Sequence, residues 1–295
     1  MFDAQTHKAA VPPHDNTPIM EEMLRLRHEL AQLLGYNSYA EVSLLDKTAP
    51  SVSAVEALIF DLRDKCLAIS KVEMAEVADF ALKHGQEEPL EEFDIAYWTQ
   101  QLRQARYNFD GEQLKPYFPM TKVLSGLFDF VLELFGIRVE PADGVQETWH
   151  PDVQFFQMRA VEAPGEPVIA QFFMDPYARP GDKRHGCWNE VVVSRSKVLR
   201  TELASVRLPV FALMNTLTPP VDDKPVLMSH REVELLLHNF GYGLRAALSS
   251  ADYTAASQPY GIEWDAVEIP SMFLRMFCTS RRKRHLVLIS FQCPP

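Results

Sequence analysis

The 295-residue chain has no continuous apolar run approaching the roughly 18 residues that a membrane-spanning helix needs, which excludes an ordinary helical span. Cysteine is sparse. Only Cys66, Cys187, Cys278 and Cys293 occur, no two of them in Cys-x-x-Cys spacing. A disulfide framework and a cysteine-rich zinc module are therefore excluded, and a reducing compartment is the simplest expectation. Basic residues are outnumbered 29 to 40, and the net charge of −11 argues against nucleic acid as a partner. Internal repeats and low-complexity stretches are missing. The first 18 residues are polar and Pro-containing, without the basic-then-apolar order of a secretion signal or the Arg-rich, acid-poor character of a transit peptide. Residues 1–14 read as disordered, and the expectation is a soluble cytoplasmic chain with neither membrane nor nucleic-acid partner. What is present is an apolar fraction of 47%, ample for a sizeable core in one large or two small domains.

The texture is helical. Thr17-Pro18 is a start signal, with Thr as N-cap and Pro in the first turn, and the helix should run to Gly35 burying Met20, Leu24, Leu30 and Leu34. A short helix fits 39–45. The longest pattern starts after Ser51 or Ser53 and stops at Gly85, with Val55, Leu58, Leu62, Cys66, Ile69, Val77 and Phe80 as its stripe. Helices are expected over 94–105 and over 121–135, the latter closed by Gly136. From Asp152 the texture changes: 153–158 and 168–174 are short Val- and Phe-rich runs around a Pro-Gly turn, and 206–215 and 225–228 read as further strands. The expected fold is mainly α-helical with a small embedded β-sheet. It divides into a helical part over 15–150, a small sheet over 152–228 and two helices over 229–277.

The last of those parts carries a chemical pattern. Ser229-x-x-Glu232 is a capping box, opening a helix from about His230 to Leu248 that carries His238-Asn239-Phe240-Gly241-Tyr242 near its middle. The pattern H-E-x-x-H sets two imidazoles on one helix face at i and i+4 with a glutamate base between them, the arrangement of zinc peptidases. A later helix then supplies a carboxylate as third protein ligand, for which Glu268 in Trp264-Asp265-Ala266-Val267-Glu268-Ile269-Pro270-Ser271 is the candidate. Here Asn239 stands in the base position and Tyr242 in the second-ligand position. A carboxamide cannot take a proton from water, and general-base catalysis is worth about 10²–10⁴ in rate. Tyrosine ligates only as phenolate, against an ordinary pKa of about 10. His230 is eight residues away on the same helix, about 12 Å along its axis, and cannot share an ion with His238. His185, in a Gly-flanked loop, is the other candidate nearby.

Longer stretches carry a resemblance. They include Asp15-Asn16-Thr17-Pro18-Ile19, Leu33-Leu34-Gly35-Tyr36, Tyr107-Asn108-Phe109 to Pro116-Tyr117-Phe118, and Phe135-Gly136-Ile137 with Glu140-Pro141-Ala142-Asp143-Gly144. Asp175-Pro176-Tyr177-Ala178-Arg179-Pro180, Lys183-Arg184, Val206-Arg207-Leu208-Pro209, Thr218-Pro219-Pro220, Asp223-Lys224-Pro225 and the two segments around His238 and Glu268 complete them. The chain resembles the thimet oligopeptidase and oligopeptidase A family of zinc metallopeptidases, most closely plant-type organellar and cytosolic members, from about Asp15 to Phe273. The resemblance implies a largely helical, zincin-like catalytic domain whose channel admits short peptides, with zinc at its floor and cleavage by metal-activated water. Its first histidine falls on His238, its base on Asn239, its second histidine on Tyr242 and its late glutamate on Glu268. Arg275 stands where the family has glutamate. Relative to the family the domain reads as truncated at both ends, and 278–295 as a divergent basic tail.

The zinc that the resemblance implies would thus have two residual ligands, His238 and Glu268, and no catalytic residue would be intact. The expected function is that of an oligopeptidase homologue, a metalloendopeptidase by descent, that is catalytically degenerate. Two alternatives stand beside it: an active metallopeptidase whose zinc site is non-standard or completed by a partner, and a non-enzymatic peptide- or protein-binding remnant. Phe172, Phe173, Tyr177 and Trp188 read as sheet core before they read as a peptide-binding strip. Asp175, Arg179, Lys183 and Arg184 read as structural ion pairs, and Arg281 to Arg284 as a solvated tail or an anion-binding patch.

Overall fold

The computed structural model describes residues 7–279 except 88, 109, 203, 223 and 258–260. The basic run Arg281 to Arg284, and residues 1–6 of the leading segment, lie outside the described residues; 7–14 form turns. No helix among the described residues is long and apolar enough to cross a membrane. The chain divides into two units, Met1–Asp110 and Gly111–Pro295.

The first unit is helical. α1 spans Thr17–Leu33, α2 Tyr39–Ser43, α3 Val52–Lys83 and α4 Glu92–Tyr107. The start of α1 differs from the expectation by one residue: Asn16 is at the N-cap, and the Asp15 carboxylate accepts the Thr17 amide at 2.9 Å. Ser51 caps α3 by accepting the Ala54 amide, and Gly85 at φ +100 ends it. The apolar stripes read as buried are a correction. Met20, Leu24, Leu30, Leu34, Leu58, Leu62 and Ile69 are all exposed, whereas Ala31, Val77 and Ala81 are buried. Within this unit α4 meets the C-terminal half of α3 through Phe80 against Trp98 and Arg106 paired with Glu76.

The second unit holds a five-stranded sheet and its helices. After a 3₁₀ turn over Gly111–Tyr117 come α5 (Met120–Phe135), β1 (Ile137–Pro141), β2 (Gln154–Ala160), β3 (Val168–Tyr177), β4 (Trp188–Val193) and β5 (Val210–Leu217). Then follow α6 (His230–Leu248), α7 (Thr254–Ser257), a 3₁₀ turn over Trp264–Ala266 and α8 (Ile269–Thr279). Gly136, at φ +64, closes α5 and turns the chain straight into β1. β1 therefore lies inside the stretch read as helical, and β4 falls between two segments that were read as strands. Residues 225–228 are no strand, and only Leu227 makes an isolated bridge, to Pro119. Strand order is β1-β2-β3-β5-β4, with β3 and β5 parallel and the other pairs antiparallel.

The period of two along the strands sorts the core. Phe156, Met158, Phe172, Met174, Phe211 and Leu213 share one cluster with α5, α6 and α8, while Phe155, Phe173 and Ala212 form a smaller cluster of their own. Phe156, Phe172 and Phe211 stack in succession, centroids 5.0 Å apart at each step. Gly243 of α6 is what lets the helix settle on this stack: a Cβ there would stand 2.3 Å from the Phe211 ring. Phe211 is fully buried and cannot swing aside. Gly243→Ala is accordingly expected to destabilise the protein by about 1–3 kcal/mol as an overpacked core. Urea unfolding checks this, and an unchanged midpoint would show that the stack has room to shift.

Candidate functional site

The site begins with the cap of α6. Ser229 Oγ accepts the Glu232 amide at 3.3 Å, and the Glu232 carboxylate accepts the Ser229 amide at 2.6 Å, so two otherwise orphaned N–H groups are satisfied. Val233, Leu236, Leu237, Phe240 and Leu244 bury one side of the helix. His238 and Tyr242, one turn apart, stand together with ring centroids 5.5 Å apart at 81°.

α8 approaches α6 closely at Gly241, where an added Cβ would lie 2.6 Å from Ser271 Cα. That contact brings Glu268 beside Tyr242, whose hydroxyl donates to Glu268 Oε1 at 3.1 Å. Glu268 is not on a second helix, as the pattern suggested. It sits just before α8, in the chain between the 3₁₀ turn and Ile269, and its carbonyl accepts the Met272 amide.

Asn239 is committed elsewhere. Its Nδ2 donates to the carbonyls of Trp188 at 3.0 Å and Met214 at 3.2 Å, and the residue is 2% exposed. Trp188 and Met214 are register partners of β4 and β5, so this carboxamide ties α6 to the edge pair of the sheet. Together with His238, Tyr242 and Glu268, it borders a cavity of about 740 Å³ also lined by Cys187, Trp188 and Trp264. Trp264 is a contribution that sequence reasoning missed; Trp188, read as sheet core before a peptide-binding strip, lines the cavity and carries Arg184 over its ring at 4.5 Å. His185 is exposed and does not line the cavity, and His230 stands at the first position of α6 near Glu234.

Charge states follow from these surroundings. Burial lowers the His238 pKa, with Glu268 opposing and Arg275 reinforcing the shift, so the imidazole is neutral near pH 7. Its Nδ1 is buried and has no hydrogen-bond partner among the described residues. Burial pushes the Tyr242 phenol up to about 12, and Glu268 adds to that by accepting its proton and by its charge. The phenol is thus a donor, not a phenolate. Burial also pushes the Cys187 thiol up to about 11; its Sγ lies 3.0 Å from Asn215 Oδ1, an inert arrangement.

These donors do not fit a zinc site. Catalytic zinc takes three protein ligands and leaves one open position. The cavity presents one imidazole, and the carboxylate in the late-ligand position, Glu268, already accepts the Tyr242 hydroxyl; its other carboxylates, Glu190 and Asp265, do not complete a site, for the described residues contain no group of three His, Cys, Asp or Glu that could hold a metal ion.

A helix bearing the first half of a metallopeptidase motif, packed against the segment bearing its late carboxylate, defines the scaffold as one of that class. Comparison of the chain with known proteins agrees. Residues 1–287 match Peptidase family M3, and the chain belongs to that family. It is 41% identical over 283 residues to the organellar oligopeptidase A, chloroplastic/mitochondrial, of Arabidopsis thaliana, covering 95% of this chain and 35% of that protein. It is also 41% identical to the probable cytosolic oligopeptidase A of the same plant, covering 95% and 40% of the two chains. Against oligopeptidase A of Escherichia coli (strain K12) the identity is 38%, over 90% and 38%. The chain spans between about a third and two-fifths of the length of these relatives.

Proposed function

We propose that this chain is a non-hydrolytic member of Peptidase family M3 that keeps a peptide-accommodating scaffold without a working zinc centre. The observation that carries this reading is the hydrogen bond between Tyr242 and Glu268, made while Asn239 is turned to two backbone carbonyls. The residue in the second-ligand position engages the late carboxylate, and the residue in the base position serves the sheet. Neither group is free for metal chemistry, and a carboxamide holds no proton-accepting lone pair of useful basicity. Peptides remain the ligand class because the cavity offers indole faces from Trp188 and Trp264 beside the carboxylates of Glu190, Asp265 and Glu268. Among the described residues Cys66, Cys187 and Cys278 are free, which suits the reducing interior of the cytosol.

The buried, unpartnered Nδ1 of His238 is the one feature that favours a second reading, a metal site completed by a residue of another chain. Two measurements on the purified chain separate the readings. After dialysis against a weak chelator, elemental analysis should find zinc well below one per chain. Quenched-fluorescent peptides should be cleaved no faster than by the His238→Ala variant, while anisotropy reports peptide binding by both. One tightly held zinc per chain, or cleavage above the variant, would overturn the proposal.

A further inference from the structure

A second cavity, with its own lining, borders the C-terminal half of α6. Its volume is about 480 Å³, and Phe135, Leu244, Leu248, Ile269 and Phe273 make up much of its wall. One charged side chain lines it, Arg245. This residue is half-buried, and it makes no hydrogen bond or ion pair among the described residues. Burial lowers its pKa, and the neighbouring Tyr242 opposes the shift. An arginine in the last turn of a helix is ordinary, since a cation there suits the helix dipole. That accounts for a positive charge at this position in water; it does not account for a guanidinium set among apolar side chains without a carboxylate. A guanidinium partly removed from water calls for a planar, bidentate anion, and carboxylate is the best match. The rim is apolar as well, with Leu248, Ile269 and Phe273 exposed.

We propose that this cavity binds a free aliphatic monocarboxylate, its chain against Leu244, Leu248 and Phe273 and its carboxylate on Arg245. The volume is within the range of small-molecule pockets, about 300–1,000 Å³. The carboxy-terminus of a peptide has the same end group, but it would carry backbone amides into a mainly apolar wall whose two hydroxyls, Ser249 and Ser257, are already engaged with backbone groups, and unpaired amides are costly to bury. A free acid brings no polar atom other than the two oxygens that Arg245 serves.

Calorimetric titration of the full chain with sodium decanoate and with 1-decanol tests the assignment. Decanoate should bind at one per chain and roughly tenfold or more tighter than the alcohol, as a charged hydrogen-bonded group provides. Arg245→Gln should abolish that preference and leave decanol affinity unchanged, and circular dichroism establishes whether the variant is folded. If it is not, Arg245→Lys, which keeps the charge but loses the fork, should weaken decanoate alone. Equal affinities for acid and alcohol in the unmodified chain would overturn the proposal without any variant. So would many decanoates bound per chain, or preferential binding of a tripeptide ending in leucine. Zinc content and peptide cleavage do not enter this experiment, so it stands or falls apart from the reading of the first cavity.

Discussion

Replacing Tyr242 by histidine is expected to turn a chain that loses zinc on dialysis into one that holds a single ion. The substitution puts imidazoles at i and i+4 on α6, where the His238 and Tyr242 rings are already neighbours, and frees Glu268 from the phenol that occupies it. Three ligands are then expected to face one point, the number that a zinc site with one open position requires. The gain in affinity should exceed the roughly 100-fold that losing even an outer-shell partner costs. His238 helps, because burial keeps it neutral and ready to donate a lone pair near pH 7. Turnover should stay at background, since Asn239 still cannot act as base.

Adding Asn239→Glu to restore the base carries its own cost. The new carboxylate would replace a donor that satisfies the Trp188 and Met214 carbonyls, leaving acceptor against acceptor in a site 2% exposed. A buried polar group deprived of its partner costs about 1–3 kcal/mol, and more when charged. The single variant is therefore the cleaner probe. Elemental analysis and zinc titration with a chromophoric competitor read the outcome; Tyr242→His protein that still loses zinc on dialysis would show that the three positions do not converge.

Much of the helical frame was legible because its signals are local. The Ser51 cap and Gly85 stop bracket α3, the Ser229–Glu232 box opens α6, and Gly136 ends α5, each by chemistry within a few residues. The buried faces were less so. The stripe of α3 has helical spacing yet is exposed at Leu58, Leu62 and Ile69, since periodicity tells which side is apolar and not what lies against it. β1 and β4 escaped notice for a related reason. They are five and six residues long, β4 is an edge strand, and the parallel pairing of β3 with β5 depends on contacts across more than 30 residues of intervening chain. The proximity of positions 238, 242 and 268 could be read from one helix turn and one family pattern. The commitment of Asn239 could not, because both of its partners lie on strand residues paired with each other, one of them on the unread strand β4.

The largest stability effect is expected at Asp175, which sits near the end of β3 and is 1% exposed. Arg179 meets its carboxylate with two bonds, at 2.8 and 2.5 Å, and Trp149 Nε1 donates to it at 2.9 Å. Lys183 Nζ stands 2.9 Å from Oδ1 and also donates to the carbonyls of Asp175, Tyr177 and Asn215, so one ammonium stitches β3 to its parallel neighbour β5. Burial by itself would raise the Asp175 pKa; the hydrogen bonds from Arg179, Lys183 and Trp149 outweigh it and hold the group at about 2, below its ordinary 3.8. Asp175→Asn keeps the shape and removes the charge, which deprives the nearly buried Lys183 and Arg179 of the carboxylate they share and leaves Arg179 only the weaker pull of Asp152 and Asp182. Breaking one side of such a pair costs about 3–5 kcal/mol. For a unit of this size that is a fall in melting temperature of roughly 6–20 °C. The sign with pH is fixed by the depressed carboxylate: its contribution is whole above pH 3.8 and disappears as pH falls through about 2. The difference in stability between the unmodified chain and Asp175→Asn should therefore be large and constant from pH 5 to 7 and shrink towards pH 2. Urea unfolding of both proteins across that range reads it directly. A difference that stays small at neutral pH would mean that the two cations find other partners, and the network would have to be counted as replaceable.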